Sequence, residues 1–267
     1  MDNEFIFIAG LHRSGTSVLH EIIRSHKEIT GFHNTGVPED EGQHLQSVYK
    51  PASAFGGPGR FAFNPKAYMD DSHPLATQAN RRTIINQWGK YLDFSCKYIV
   101  EKSPPNLIRT RFIQKIFPNS RFIVIFRHPV AISYATKKWT FNPIIRLIDH
   151  AIYAYETFLK DMPYLQSVYI LRYEDFVRNP QNKINEIFDY LGLSPVKIER
   201  SISPNINEKY FSMWEKDRNK LLNKILWGIG GKLKKYEARA NRLGYSLYDY
   251  NNLIAMQWYG INHNRIT

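Results

Sequence analysis

Short, continuous apolar runs alternate along the chain with longer segments in which apolar residues recur every three or four positions. Four such runs predict β-strands, at residues 4–9, 97–100, 121–126 and 168–171. These runs show no polar alternation, which is typical of central parallel strands that helices cover on both faces. The four strands are therefore expected in the interior of a layered structure.

Helical periodicity follows the predicted strands. Helices are predicted at 16–25, at 106–116, from Pro129 onwards, along the stripe of Ile144, Ile148, Ile152, Tyr155 and Leu159, and at 180–191, with Gly192 as a C-cap. Alternation of strand and helix implies a doubly wound parallel α/β sheet flanked by helices. Sheets of this class bind ligands at the carboxyl ends of their strands.

Two regions depart from this alternation. Residues 31–75 are rich in Gly, Pro, Asn and Asp and show no sustained period. A long irregular stretch inside a compact domain is usually functional, so we interpret it as a loop insertion beside the ligand site. The length of 267 residues suits one domain, 1–267, in which about 193–267 forms a helical C-terminal part.

The first strand runs into a turn that is bracketed by Gly10 and Gly15 and is followed by a helix. This G-x-x-x-x-G spacing is that of a P-loop, whose backbone N–H groups cradle phosphate with the help of the helix dipole. A nucleoside triphosphatase carries Lys after the second glycine, whereas this chain has Thr16 there and places its cation inside the loop, at Arg13. The pattern indicates a P-loop-like site for a phosphate ester that is not a metal-bound triphosphate.

Composition is that of a soluble globular protein, with 43% hydrophobic and 22% charged residues. The single cysteine, Cys96, excludes a disulfide framework and a cysteine-based zinc site. The apolar run at the N-terminus is too short for a signal peptide, and no run approaches the roughly 20 residues of a membrane helix. We therefore expect a cytoplasmic protein without a membrane span.

The net charge of +12 suits an anionic nucleotide and an acidic partner, and a nucleic acid would suit it equally. The sequence contains no zinc finger, RNA-recognition sheet motif or basic zipper, so we expect no nucleic-acid partner. Much of the charge lies late in the chain, at Lys220, Lys224, Lys232, Lys234, Lys235, Arg239 and Arg242. We interpret these residues as a solvated helix face, with a membrane or polyanion site as the alternative.

Four ordered segments resemble the sulfotransferases that use 3′-phosphoadenosine 5′-phosphosulfate (PAPS). They are Gly10-Leu-His-Arg-Ser-Gly-Thr-Ser17, Glu101-Lys-Ser-Pro104, Arg121-Phe-Ile-Val-Ile-Phe-Arg-His-Pro-Val-Ala-Ile-Ser133 and Leu171-Arg-Tyr-Glu-Asp-Phe176. The first is similar to the R-S-G-T-[ST] loop of the carbohydrate and tyrosylprotein branch. The resemblance covers residues 4 to about 190. It implies an enzyme that moves a sulfuryl group from PAPS to a hydroxyl or an amine and releases adenosine 3′,5′-bisphosphate.

The resemblance also implies which residues hold the donor. Backbone N–H groups of Ser14, Gly15, Thr16, Ser17 and Val18 would bind the 5′-phosphate, with Arg13 and the Thr16 and Ser17 hydroxyls as further donors. Lys102 would reach the transferring sulfuryl group and neutralise the charge that develops as its bond breaks.

The second half of the donor is assigned to later strand ends. Arg127 would bind the 3′-phosphate, because a guanidinium can donate two parallel hydrogen bonds to phosphate oxygens. Tyr173 would contact the nucleotide. The family's hydroxyl partner of the 3′-phosphate falls at Ala135 in this chain, so we assign that role to Ser133, with Thr136 as the neighbouring alternative.

A base must take the proton from the acceptor hydroxyl. The segment Val37-Pro-Glu-Asp-Glu-Gly-Gln-His44 supplies candidates, of which we choose Glu41. It lies 28 residues after Arg13, a separation similar to that of the base in glycosaminoglycan sulfotransferases, and Gly42 beside it would let the backbone approach a ligand. Glu39, Asp40 and His44 are the alternatives within the segment, and His33 and His12 are lesser candidates.

Two other functions stay open. One is a P-loop kinase acting on a small molecule or nucleotide, against which the missing Lys after Gly15 argues. The other is a non-enzymatic nucleotide- or polyanion-binding module. We expect no metal, because no apolar strand ends in an Asp suited to magnesium, and we expect a small-molecule or glycan acceptor.

Overall fold

The computed structural model describes residues 3–228, 231–256 and 260–263. Its strands are β1 Glu4–Ala9, β2 Ile29–Gly31, β3 Tyr98–Lys102, β4 Arg121–Phe126, β5 Ser167–Arg172 and β6 Gly260–His263. They form one sheet in the order β2-β3-β1-β4-β5-β6, in which the first five are parallel and β6 pairs antiparallel with β5. The four predicted strands are confirmed, and β2 and β6 are additional.

The α-helices of the described residues are α1 Thr16–Arg24, α2 Gln78–Trp88, α3 Thr110–Ile116, α4 Pro129–Thr136, α5 Ile144–Asp161, α6 Tyr173–Arg178, α7 Pro180–Leu191, α8 Glu208–Asn219, α9 Leu221–Gly228 and α10 Lys232–Arg242. The predicted helix at 106–116 is wrong at its start. Residues 104–108 form a 3₁₀ turn, because Pro104 and Pro105 lack N–H groups and Arg109 is extended in φ at −137°. None of the described helices is long and apolar enough to cross a membrane.

Alternation along the strands creates two cores. In β1, Phe5 and Phe7 face one side of the sheet, where α2 to α5 and α8 to α10 pack, whereas Ile6 and Ile8 face the other side, where α1, α6 and α7 pack. Helices on both faces confirm the prediction of a doubly wound α/β sheet. This construction buries almost every residue of the parallel strands and leaves their ends available for ligands.

The strand register brings the ends of the parallel strands to one edge. Ile8 of β1 pairs with Lys102 of β3, and Phe126 of β4 pairs with Arg172 of β5. The chain leaves each of these strands within one or two residues of those pairs. The turn after β1 and the segments after β3, β4 and β5 therefore meet at this edge.

The predicted insertion packs against the core as a series of 3₁₀ turns. Between β2 and α2 the structure shows neither an α-helix nor a strand. Arg109, which directly precedes α3, is buried and donates from Nε to the Ala67 carbonyl of the insertion at 2.9 Å. Its guanidinium also lies 5.2 Å from the Tyr49 ring and 5.7 Å from the Phe55 ring. Phe61 is buried as well. These contacts fix the insertion against the carboxyl edge of the sheet.

Trp88 at the end of α2 joins the insertion to the sheet. Its ring is fully buried, stacks on Phe117 at 5.9 Å and donates from Nε1 to the Gly42 carbonyl at 3.0 Å. We expect Trp88→Ala to lower the free energy of unfolding by about 3–5 kcal/mol, because both packing and this hydrogen bond are lost. Urea denaturation measures the change. Tyr91→Ala, at a half-exposed neighbour, is the control and should shift stability by less than about 0.5 kcal/mol; equal stability of the two variants would contradict this account.

Candidate active site

The turn after β1 leaves several hydrogen-bond donors unused. The Ser14 N–H donates to the Leu11 carbonyl at 3.0 Å, and Gly15, with φ of 99°, leads into α1 without a side-chain cap. Within the described chain, the backbone N–H groups of Thr16, Ser17 and Val18 donate to no protein acceptor, and the buried Ser14 Oγ has no partner. Free donors at a helix start form an anion site.

Glu41 and Lys102 meet at the end of β3. Lys102 is 1% exposed, lies with its Nζ 3.3 Å from Glu41 Oε1 and donates to the Glu39 carbonyl at 2.8 Å. The Glu39 side chain in turn accepts a hydrogen bond from Ser17 Oγ at 3.2 Å. A buried cation and a buried carboxylate therefore lie beside the first turn of α1.

Glu101 holds the segment that carries Glu41. Its buried carboxylate accepts hydrogen bonds from the Gly42 N–H at 3.0 Å, from Ser103 Oγ and from Asn106 Nδ2 at 2.6 Å. A side chain at Gly42 would place its Cβ 2.7 Å from Glu101 Cγ, so only glycine permits this approach. The close backbone approach predicted for Gly42 is thus made to Glu101.

Burial and the Lys102 charge set the protonation of this cluster. Burial raises the pKa of Glu41, although Lys102 acts in the opposite direction. Burial, and then the charge of Lys102, lower the pKa of His44, and they lower that of His12 to about 3. Both histidines are therefore neutral at pH 7. His44 Nε2 lies 3.9 Å from Glu41 Oε2, beyond hydrogen-bond range.

Arg127 connects the loop to the end of β5. Its guanidinium lies 4.1 Å from the centre of the Tyr173 ring, donates from Nη1 to the Arg13 carbonyl, and donates from Nε and Nη2 to Asn207 Oδ1 at 2.9 and 2.6 Å. The Tyr173 ring fills the space beside Gly15, where a Cβ would lie 2.8 Å from it. The loop and the ends of β4 and β5 therefore form one packed unit.

Two residues of this region were missed by the sequence analysis. Asn207 precedes α8, orients Arg127 and donates from Nδ2 to Glu174 Oε1 at 2.8 Å. Nothing in the spacing links Asn207 to Arg127. Trp139 follows α4 and lies 5.3 Å from the guanidinium of Arg13, which is exposed. An aromatic directly after two lysines was the one available signal for it.

Ser133 forms its hydrogen bond within α4. Its buried Oγ donates to the Pro129 carbonyl at 2.7 Å, and the residue lines a cavity of about 10 Å³ together with His12 and Thr136. Thr136 Oγ1 is buried without a partner. In the described structure no hydrogen bond joins either hydroxyl to Arg127, so the assignment of Ser133 to the 3′-phosphate stays a prediction.

Sequence comparison and structure comparison lead to the same group of known proteins. A model of the sulfotransferase family matches residues 5–197. Protein-tyrosine sulfotransferase 2 of Gallus gallus is 24% identical over 201 residues, which cover 71% of this chain and 51% of that protein. The chain thus spans about half the length of this curated relative. The sulfotransferase domain from the curacin biosynthetic pathway has a similar fold, with a TM-score of 0.50 and 18% identity over 80% of this chain and 90% of that domain.

The buried Glu101 carboxylate should make stability depend on pH. Burial raises the pKa of Glu101 from 4.5 to about 7 in the folded protein, so the folded state binds the proton more tightly than the unfolded state. The resulting stabilisation is complete below pH 4.5 and is lost as the pH rises through about 7, by at most about 1.4 kcal/mol per pH unit. Glutamine does not titrate. The free energy of unfolding of Glu101→Gln minus that of the wild type should therefore increase between about pH 5 and pH 7.

Chemical denaturation at several pH values in this interval measures that difference. Glu199→Gln makes the same substitution at an exposed position and is the control for the substitution itself. If the Glu101→Gln difference did not vary with pH, the carboxylate would not be desolvated as described.

Proposed function

Because the chain belongs to the sulfotransferase family, we propose that it transfers a sulfuryl group from PAPS to the hydroxyl, or less favourably the amine, of an acceptor. One observation carries the proposal: the loop with unused donors lies between the buried Lys102–Glu41 pair on one side and the buried Arg127 on the other. Three sets of groups suited to one extended ligand with an anionic group at each end thus share an edge of the sheet.

The donor count at this edge fits such a ligand. The N–H groups at the start of α1 and Ser14 Oγ would hold the 5′ end, since they have no protein partner among the described residues. A guanidinium has five N–H groups, and Arg127 uses three of them for Asn207 and the Arg13 carbonyl. Among the described residues, no partner takes the remaining N–H on each terminal nitrogen, and two is the number that a bidentate contact with a 3′-phosphate requires.

Glu41 and Lys102 would perform the transfer chemistry. When bound, the donor supplies an activated sulfuryl group and a phosphate leaving group. Glu41 accepts the proton of the acceptor hydroxyl, and burial favours this role by raising the pKa of its carboxyl. Once Glu41 is protonated, it no longer compensates the charge of Lys102, which then acts on the leaving oxygen. Proton removal and stabilisation of the leaving group are linked through this one pair.

The acceptor would bind beside the insertion, because Glu41 belongs to it. We retain a small molecule or a glycan as the proposed acceptor class. The kinase alternative is disfavoured by Thr16, which stands where a triphosphate loop has its Lys. Within the described residues, no group of three or more His, Cys, Asp and Glu side chains is placed to hold a metal ion. Metal-independent transfer stays a prediction.

Nucleotide selectivity tests the donor. Adenosine 3′,5′-bisphosphate should raise the melting temperature much more than ATP with magnesium. The loop lacks the lysine of triphosphate-binding loops, and we assign Arg127 to a 3′-phosphate, which ATP does not have. A ligand at about 100 times its dissociation constant stabilises the fold by about 2.7 kcal/mol. Thermal unfolding with each nucleotide is the measurement. Equal shifts with both nucleotides would reject PAPS as the donor.

Arg127→Ala extends that test to one residue. It should weaken binding of the bisphosphate by roughly tenfold or more, the value of a charge-assisted hydrogen bond, and should change binding of adenosine 5′-monophosphate little. Calorimetric titration gives both affinities. Arg178→Ala, at an exposed arginine that ends α6, is the control and should change neither affinity. If Arg127→Ala weakened both nucleotides alike, the residue would not read the 3′-phosphate.

Glu41→Gln separates binding from chemistry. It keeps the side-chain shape but removes the base, so turnover should fall by at least about a hundredfold while the affinity for the bisphosphate stays the same. Lys102→Met should also lower turnover, because the leaving oxygen loses its cation. Radiolabelled sulfuryl transfer from PAPS to a panel of phenols and sugars is the readout. Near-normal turnover of Glu41→Gln, with a loss in Glu39→Gln or His44→Gln instead, would move the base to that residue.

A further inference from the structure

Helix α9 exposes an apolar face that the proposed function does not use. Leu221 and Leu222 are 76% and 67% exposed, and Ile225 and Leu226 are 52% exposed each. At about 100° per residue, these four side chains cover an arc of about 140° on the helix. Single exposed apolar residues are common on soluble proteins, whereas a contiguous set marks an interaction site.

The opposite side of α9 is packed against the protein. Trp227 is buried and stacks on the fully buried Trp214 of α8, with ring centroids 5.1 Å apart and planes at 17°. Trp214 also donates from Nε1 to the Leu247 carbonyl at 2.7 Å. Trp227 lies about 170° around the helix from the middle of the exposed arc. The two tryptophans therefore fix α9 in an orientation that points its four large aliphatic residues away from the body.

The segment that carries this face has a high positive charge. Residues 216–235 contain seven basic residues and one acidic residue, Asp217, so their net charge is +6, half of the +12 of the whole chain. The exposed lysines are Lys216, Lys220, Lys224, Lys232, Lys234 and Lys235. Lys220 pairs with Asp217 at 2.7 Å, and no ion pair is found for the others among the described residues. An ordinary solvated face, as interpreted from sequence, would not combine this charge with exposed leucines.

We propose that α9 and the start of α10 bind the surface of an anionic lipid bilayer. The four aliphatic side chains enter the boundary between headgroups and acyl chains, and the exposed lysines of the same segment contact lipid phosphates. An apolar helix face flanked by lysines is the pattern of helices that lie in this interface, and each basic residue adds attraction to an anionic leaflet. A second copy of the chain fits less well, because two faces of charge +6 would repel each other.

The bilayer surface and the candidate active site lie at opposite ends of one helix. α8 begins at Glu208, directly after the Asn207 that orients Arg127, and α9 begins two residues after α8 ends. The twelve residues of α8 span about 18 Å. Binding at α9 would therefore hold the protein with its sheet edge at a fixed distance from the membrane. The inference does not depend on which reaction takes place at that edge.

Vesicle flotation with the full chain tests the proposal. The protein should float with phosphatidylcholine vesicles that contain phosphatidylserine and should not float with phosphatidylcholine alone. High salt should reduce flotation, because it screens the attraction between the lysines and the anionic lipids. The double variant L222E/I225E keeps every lysine but places charge in the apolar arc. It should lose at least about tenfold in affinity. Because both positions are exposed, its circular dichroism and melting temperature should match the wild type.

Two triple variants separate a local effect from overall charge. K232Q/K234Q/K235Q should weaken binding to the anionic vesicles on the order of a hundredfold. K27Q/K66Q/K90Q removes the same charge from exposed positions elsewhere and should weaken it by less than about threefold. Equal losses in the two triple variants, or no flotation of the wild type, would overturn the proposal. A dimer that L222E/I225E dissociates in analytical ultracentrifugation, without vesicle binding, would assign the face to a second copy and overturn it as well.

Discussion

The candidate site depends on the burial of one carboxylate. Glu101 ends up inside the protein because β3 carries it there, and donors from Gly42, Ser103 and Asn106 offset the cost of removing it from water. The same hydrogen bonds fix the segment that carries Glu41. Without them, Lys102 would be left as an unpaired buried cation, a situation that costs about 3–5 kcal/mol. The buried Lys102–Glu41 pair, to which we assign the proposed chemistry, therefore depends on a second buried acid one residue before Lys102.

The site draws on parts of the chain inside and outside the match to the family model. The loop, Lys102, Arg127 and Tyr173 all lie within residues 5–197, which match the family model. Asn207 lies beyond that match, yet it occupies two of the five N–H groups of Arg127 and so decides which of them stay free. Glu41 comes from the irregular insertion. A shared sheet edge is thus completed by two segments whose sequences carry little periodic signal.

The hydrophobic pattern was sufficient to predict a strand or helix where buried residues recur regularly along that element. β1, β4 and α7 were predicted to the residue, because continuous apolar runs and a left-handed Gly192, with φ of 70°, define their ends. α2 was missed, since only Ile84 and Trp88 of its eleven residues are buried and no stripe forms. The motif residues could be brought together from sequence because each follows a parallel strand. The hydrogen bonds between Arg127 and Asn207, which lie 80 residues apart, could not be predicted in this way, because Asn207 does not follow a strand.

The packing of Tyr173 against Gly15 has a mechanical consequence. Since a ring occupies the place of the missing side chain, and since Arg127 is tied to both the Arg13 carbonyl and Asn207, the loop cannot shift relative to the ends of β4 and β5 without breaking several contacts at once. In the proposed function, the start of α1 and the guanidinium of Arg127 would then hold the two anionic ends of the donor at a fixed separation. The distance between the anionic ends of a ligand would thus be a criterion of selection in addition to its charge.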